Sequence, residues 1–204
     1  MLIEINKDNI DKRLIDTVVG ALMNDEIIIY PTDTVYALAC DLNSKKGIEK
    51  LAEIKKLKLK HAKFSIVCHD ISAISSYIKQ IDRSTFKLLK SNLPGPFTFI
   101  LQATNEVQRK FDSNRKEIGI KIPDNAIALE ITKALGNPMV TTSLIDNEDD
   151  LLEYFTDPYE IYQRFDDKVH TIIDGGVGKL EASTIVDCSK GVCEVIREGA
   201  GVLV

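Results

Sequence analysis

The chain has 204 residues, 44% of them apolar and 28% charged, with a formal net charge of −5. That length and composition suit one folded domain, residues 1–204, with a sizeable core, and exclude a chain disordered throughout. No apolar run is long enough for a membrane helix, and the negative balance argues against a protein that coats nucleic acid.

Met1 to Lys7 lacks the basic start and apolar core of a signal peptide, so a cytoplasmic protein is expected. Asp8 or Asn9 is placed to cap a helix in which Ile10, Leu14, Val18 and Leu22 share one face. Glu26 to Tyr30 reads as a buried strand stopped by Pro31. A loop, Pro31 to Thr34, leads to a short strand or turn over Val35 to Cys40. Ser44 to Leu57 reads as a helix with Ile48, Leu51, Ala52 and Ile54 inward and lysines outward. Phe64 to Cys68 reads as a strand, and Ile71 to Ile81 and Ser84 to Asn92 as helices. Pro94-Gly95-Pro96 breaks the chain before a strand at Phe97 to Ala103. A strand at Ile118 to Ile122 ends at Pro123, and a helix at Ala126 to Leu135 ends at Gly136. Pro138 to Thr142 is a strand, 146–157 a mobile acidic loop, and Pro158 to Phe165 a helix with proline in its first turn. Val169 to Asp174, Thr184 to Asp187 and Cys193 to Ile196 are the last strands. This alternation predicts an α/β fold: a sheet covered by helices, with mixed strand directions near the C-terminus.

Charge is unevenly spread. Residues 45–63 hold eight lysines against Glu49 and Glu53, while 146–167 is acidic, including Glu148, Asp149 and Asp150. Such polarity can steer an anionic ligand. The cysteines Cys40, Cys68, Cys188 and Cys193 fit no zinc or redox spacing, so free thiols are expected. His61, His69 and His170 are not spaced as metal ligands, and no metal site is expected. Neither a Walker A sequence nor a Gly-x-Gly-x-x-Gly fingerprint is present, so any nucleotide site must be built another way.

Five segments could carry chemistry. Tyr30-Pro31-Thr32-Asp33-Thr34-Val35-Tyr36 delivers hydroxyls, a carboxylate and a phenol at a strand end, where open α/β sheets bind ligands. It is equally a turn in which Asp and Thr bond nearby backbone amides, and each of the others also has a plain structural reading. Pro94-Gly95-Pro96-Phe97-Thr98 is a stiff entry to a strand. Thr141-Thr142-Ser143 could hold oxyanions or simply be loop polar groups. Ser183-Thr184-Ile185-Val186-Asp187 precedes Arg197, which could clamp a phosphate or pair with Glu194 or Glu198. The lysines of 45–63 are a solvated helix face or a set of phosphate contacts.

Taken in order and spacing, Pro31-Thr32-Asp33-Thr34-Val35-Tyr36-Ala37-Leu38, Pro94-Gly95-Pro96-Phe97-Thr98, Ser183-Thr184-Ile185-Val186-Asp187 and Ile196-Arg197-Glu198-Gly199 resemble the YrdC-like family of threonylcarbamoyl-AMP synthases, on its YciO-like branch. The resemblance implies a twisted open mixed sheet flanked by helices, with a large concave basic cavity. It implies ATP, L-threonine and bicarbonate as substrates and Mg²⁺ as the accompanying ion. The product would be threonylcarbamoyl-AMP for tRNA modification, and tRNA or double-stranded RNA a partner.

Position by position, the resemblance implies threonine contacts at Thr32, Thr34, Lys121, Thr141 and Ser183. It implies catalytic and nucleotide contacts at Lys55, Ser143 and Arg197, with Lys56, Lys58, Lys60 and Lys63 as RNA contacts. The family's Lys-x-Arg reads Lys55-Lys56-Leu57 here, and its Ser-x-Asn reads Ser143-Leu144-Ile145. A guanidinium and an amide are thereby absent, and Cys68 stands where a histidine is usual. Three readings follow: a synthase or close variant, an RNA binder without synthase chemistry, and an inherited fold with another small ligand.

Overall fold

The structure, a computed structural model, describes residues 1–111, 113–146 and 153–204. The first half runs β1 (Leu2–Glu4), α1 (Lys12–Met23), β2 (Ile28–Tyr30), β3 (Ala37–Asp41), α2 (Lys45–Ile54), β4 (Ser65–Val67), α3 (Arg83–Asn92) and β5 (Phe97–Gln102). The second half runs α4 (Asn105–Lys110), β6 (Glu117–Lys121), α5 (Ala126–Leu135), β7 (Met139–Ser143), β8 (Ile145–Asp146), β9 (Glu153–Tyr154), α6 (Pro158–Phe165), β10 (Thr171–Asp174), β11 (Thr184–Asp187) and β12 (Glu194–Arg197).

Ten strands form one mixed sheet in the order β1-β10-β2-β3-β7-β4-β6-β5-β11-β12, and β8 pairs with β9 alone. Antiparallel pairs are not confined to the C-terminus: β2–β3, β3–β7 and β4–β7 lie mid-sheet. One face is apolar from β2 to β11. Ile29, Leu38, Val140, Ile66, Ile120, Phe99 and Val186 meet Ile48 and Leu51 of α2, Leu89 of α3, Val107 of α4 and Ile161 of α6. The other face is covered only in part. There Ile28, Tyr30, Ala37, Ala39, Met139 and Val67 pack against Ile15, Val18 and Leu22 of α1 and Ile127, Ala128 and Ile131 of α5.

Several expected boundaries shift for identifiable reasons. The first helix is capped by Asp11, which accepts from the Arg13 amide, because Asp8 is held in a turn by the Asn6 side chain. The helix expected over 71–81 is reduced to one 3₁₀ turn, Ser72–Ile74. Its remaining backbone pairs elsewhere: Lys79 donates to Gln102 O at 2.8 Å, Thr104 donates to Tyr77 O at 3.0 Å, and Ile78 bridges to Ala103. β1, α4, β8 and β9 were not foreseen. The expected acidic loop falls largely on 147–152, and Glu148, Asp149 and Asp150 lie outside the described residues.

The α2 helix stops three residues before the expected Leu57. Lys56 donates to Glu53 O and Leu57 to Ala52 O, with Lys56 at φ 52°. This is the closing pattern that usually carries glycine at the left-handed position. Lys56→Gly is therefore expected to stabilise the protein by about 1 kcal/mol, read as a higher urea midpoint at unchanged slope.

The cysteine expectation is corrected in part. Cys40 and Cys68 are free and buried, but Cys188 and Cys193 form a disulfide across the β11–β12 turn. Spacing alone missed it because no zinc or redox motif separates them by five. The hairpin register brings their Cα atoms to 4.2 Å.

Candidate functional site

Residues directly opposite one another in a sheet share a face. On the partly covered face, β7 offers Thr141 and Ser143, and β4 offers Ser65 opposite Thr141. Gly119 lies opposite Ser65, and Lys121 opposite Val67. Thr98 of β5 lies opposite Ile185, and Ile185 opposite Arg197 of β12. Beyond Val67 the apolar cluster on this face ends. A polar floor replaces it: Ser65, Gly119, Lys121, Thr98, Ser183 and Arg197. Several of these are nonetheless recessed, with Thr98 and Lys121 both 7% exposed, Ser183 5% and Thr141 3%.

The strand sequences account for this. In Phe97-Thr98-Phe99-Ile100-Leu101 and Ile118-Gly119-Ile120-Lys121 the residues facing the helices are uniformly large and apolar, while the alternate positions, Ile100 excepted, are small, hydroxylic or charged. Such alternation is what a sheet needs when one face is core and the other is not.

The loop between β2 and β3 folds over this floor. Thr32 Oγ1 donates to Val35 O at 2.7 Å and receives the Thr34 amide at 3.0 Å. With its own proton committed, Thr32 is the acceptor in the 3.1 Å contact with Thr34 Oγ1. Thr34 thus gives its proton away and keeps lone pairs. Tyr36 Oη donates to Gly176 O at 2.7 Å and accepts the Gly175 amide at 3.2 Å, which anchors the loop to the end of β10. Burial pushes the Tyr36 phenol up to about 12. Tyr30 is buried behind the loop, 2.9 Å from Thr141 Oγ1.

Asp33 is the unexpected member. Both carboxylate oxygens are buried with no well-formed hydrogen bond. Desolvation raises its pKa, opposed by the nearby Asp124 amide and the charges of Lys121 and Lys179. A buried carboxylate without direct partners is costly to keep. The sequence showed a carboxylate in this loop, but nothing in it marked the group as buried.

At the far side, Thr98 Oγ1 and Ser183 Oγ are 2.9 Å apart, and Arg197 donates to Ser183 O at 2.5 Å. Arg197 forms no ion pair with Glu194 or Glu198 among the described residues, so its simplest structural reading is set aside. Gly199 belongs to the same contact: a side chain there would overlap the Ala182 carbonyl and crowd the Ser183 backbone. Lys121 Nζ makes no hydrogen bond among the described residues, while its carbonyl accepts the Cys68 amide at 3.0 Å. Burial lowers its pKa, Asp33 opposes that shift, and Arg197 adds to it.

Thr32, Thr34, Lys121, Thr141, Ser143, Ser183 and Arg197 therefore gather on or over one face. Lys55 does not join them directly. It caps α2, which packs on the opposite face, and burial lowers its pKa. Lys56, Lys58, Lys60 and Lys63 are exposed on the segment leading from α2 to Ser65. Arg115 fixes the end of that segment, donating to Phe64 O at 2.7 Å and to Ala62 O while stacking on Phe111.

The floor holds two cations, Lys121 and Arg197, beside one strained carboxylate and a row of hydroxyls. That set suits an anion carrying both charge and hydrogen-bonding oxygens. No group of three or more His, Cys, Asp or Glu converges among the described residues to hold a metal.

Comparison with known proteins agrees with this architecture. Residues 20–199 match the Sua5_yciO_yrdC family, described as telomere recombination. An uncharacterized protein of Haemophilus influenzae is 39% identical over 199 residues, covering 97% of this chain and 94% of that protein. The crystal structure of Escherichia coli YciO superposes with a TM-score of 0.89 at 37% identity, covering 99% of this chain and 97% of that one. P. abyssi Sua5 complexed with L-threonine superposes with a TM-score of 0.87 at 22% identity, covering 98% of this chain and 57% of that one.

Proposed function

The chain belongs to the Sua5_yciO_yrdC family, and from that premise we propose that it is a nucleotidyltransferase of the threonylcarbamoyl-AMP synthase type. It joins L-threonine, bicarbonate and ATP into threonylcarbamoyl-AMP and releases pyrophosphate, the product serving tRNA modification. The observation that carries this reading is the recessed floor with an unbonded Lys121, Arg197 beside Ser183, and the two-threonine loop above. A structural neighbour of the same fold, P. abyssi Sua5, holds L-threonine, which supports that amino acid as the ligand.

In this reading Thr32, Thr34, Thr141 and Ser183 hold threonine, with the Thr34 lone pairs available to its ammonium. Lys121 lies at the threonine end and also faces the developing phosphate charge. Arg197 and Ser143 receive the nucleotide on the floor, and Lys55, away from it at the end of α2, would meet the outer phosphates. The threonine amine takes up bicarbonate with loss of water to give a carbamate; its carboxylate attacks the α-phosphate in line, and pyrophosphate leaves. Catalysis is positioning and charge stabilisation rather than covalent chemistry. The donor set does not fit a resident cation, since the buried carboxylate beside the floor is flanked by lysines. Mg²⁺ would arrive with the phosphates and keep its own waters.

The test is incubation of the protein with ATP, Mg²⁺, bicarbonate and labelled L-threonine. Product is expected. Arg197→Ala should lower kcat/KM roughly 10- to 150-fold, the worth of one charge-assisted hydrogen bond, and Lys55→Ala about tenfold. No product from folded protein would refute the reaction and show that Leu57 and Ile145 are not tolerated.

A second reading has one observation of its own, the exposed lysines 56, 58, 60 and 63 on one segment. They would hold double-stranded RNA or tRNA through phosphates, with affinity falling steeply as salt rises. A salt-independent affinity would rule that out.

A further inference from the structure

We propose that Cys188 and Cys193 are a reversible dithiol–disulfide pair that sets the order of the strand carrying Arg197. The two residues close β11 and open β12, and their bond spans the turn between those strands. Either side of that turn lies part of the polar floor: Ser183 enters β11, and Arg197 ends β12 with its guanidinium on the Ser183 carbonyl.

The two strands are held very differently. β11 is locked into the sheet: it runs parallel to β5, and the Cys188 amide continues that ladder by donating to Ile100 O at 2.9 Å. β12 is an edge strand whose four residues are all exposed, and its register with β11 is interrupted between Ile185 and Val186. At its start it is tied by the disulfide and a 3.8 Å contact from Cys193 Sγ to Thr85 Oγ1 on α3, and at its end by Arg197 on the Ser183 carbonyl and the Ala200 amide on Ala182 O. Edge strands with few buried contacts are among the first elements to open. The cross-link therefore fixes an element that the core does not.

Selectivity follows from burial. Cys40 and Cys68 are both buried, and desolvation holds their thiols well above the usual range, Cys68 at about 12. They are poor thiolates at neutral pH; Cys188 is also buried, 6% exposed, whereas Cys193 is only partly buried, so Cys193 is the sulfur that exchange reaches first. A five-residue separation also closes only a short loop, which gives a cross-link little advantage from the unfolded chain.

The chemistry is ordinary exchange with a small disulfide such as oxidised glutathione. One cysteine thiolate attacks the oxidant's sulfur and expels one glutathione thiolate. The second cysteine thiolate attacks the resulting mixed disulfide at the protein sulfur and expels the other. The protein loses two electrons and two thiol protons, and the oxidant is reduced to two thiols.

The test uses the full chain equilibrated in buffers of graded oxidised-to-reduced glutathione, quenched with a maleimide and mapped by peptide mass. Protection should appear at Cys188 and Cys193 together, within the ratios tested, with Cys40 and Cys68 unlabelled until the chain is unfolded. Amide exchange over 194–197 should be roughly tenfold faster or more in the reduced protein, with 184–187 unchanged. The Cys188→Ser/Cys193→Ser double variant should exchange at the reduced rate whatever the buffer. A pair that is labelled at every ratio, or a disulfide that forms and leaves exchange at 194–197 unaltered, would overturn the proposal. Neither readout depends on the protein's catalytic activity, so a failure here is separable from a failure of the proposed reaction.

Discussion

Lys121→Met is expected to cut turnover by roughly two orders of magnitude while leaving the fold as stable as before or more so. The two effects come from the same fact. Lys121 is 7% exposed and its Nζ makes no hydrogen bond among the described residues, so its charge is desolvated without direct repayment. Its pKa in the folded protein lies below the 10.5 of the free side chain. Between that lowered value and 10.5 the unfolded chain binds more protons than the folded one, so stability rises with pH across this window. Below that lowered value the whole cost is present. Methionine fills a similar volume with no charge, and replacing buried charge by an apolar group is often neutral or stabilising.

The variant should therefore melt no lower than the parent, and its stability should lose the alkaline rise. Lys121→Arg should keep turnover within about tenfold, because charge is retained while the geometry changes. A methionine variant that loses stability together with activity would make Lys121 a structural residue and remove it from the floor's chemistry. Asp33 provides an internal check. Its carboxyl is held down partly by Lys121, so removing the amine should raise the Asp33 pKa further, which a carboxyl-sensitive NMR titration would follow.

The elements with strong period signals were legible in the sequence, and so was the order of the site motifs. α5 runs Ala126–Leu135 with Gly136 left-handed behind it, and α6 begins at Pro158, both as the residues dictate. The motif residues Thr32, Thr34, Ser183 and Arg197 fall on strand ends or the loop over one face, since strand ends are where a sheet presents residues it does not pack, while Thr141 lies in the middle of β7 on the same face. What the sequence did not show depends on contacts far apart in the chain. The helix expected over 71–81 was lost because Lys79 and Tyr77 spend their backbone groups on the end of β5. The disulfide depends on a hairpin register, and the burial of Asp33 depends on a loop folding back over β6. The small residues of the floor, Ser65 and Gly119, were invisible for another reason: each is unremarkable in its own strand, and they acquire meaning only when β4 and β6 pair.

Gly119 gives the sharpest test of the floor as a binding surface. A glycine inside a strand costs about 0.5–1 kcal/mol relative to alanine, so its place mid-strand calls for a close approach. A Cβ at 119 would overlap the Ser65 hydroxyl and stand 3.0 Å from the Thr98 methyl, above the centre of the polar floor. Gly119→Ala in the natural background confounds two effects, crowding of Ser65 and filling of the site. Ser65→Ala removes the crowded hydroxyl and leaves the filling. Gly119→Ala alone should cost roughly 1–2 kcal/mol, most of it recovered in the Ser65→Ala/Gly119→Ala double variant. Gly119→Val in the Ser65→Ala background places a branched side chain across the floor. It should fold and still lose L-threonine and ATP binding by roughly a hundredfold or more in calorimetric titration against the Ser65→Ala parent. Binding that survives the valine would move the ligand off this face, whatever reaction the protein performs. Binding lost in the valine variant but regained on return to glycine would fix the floor between β4 and β5 as the place where the substrates lie.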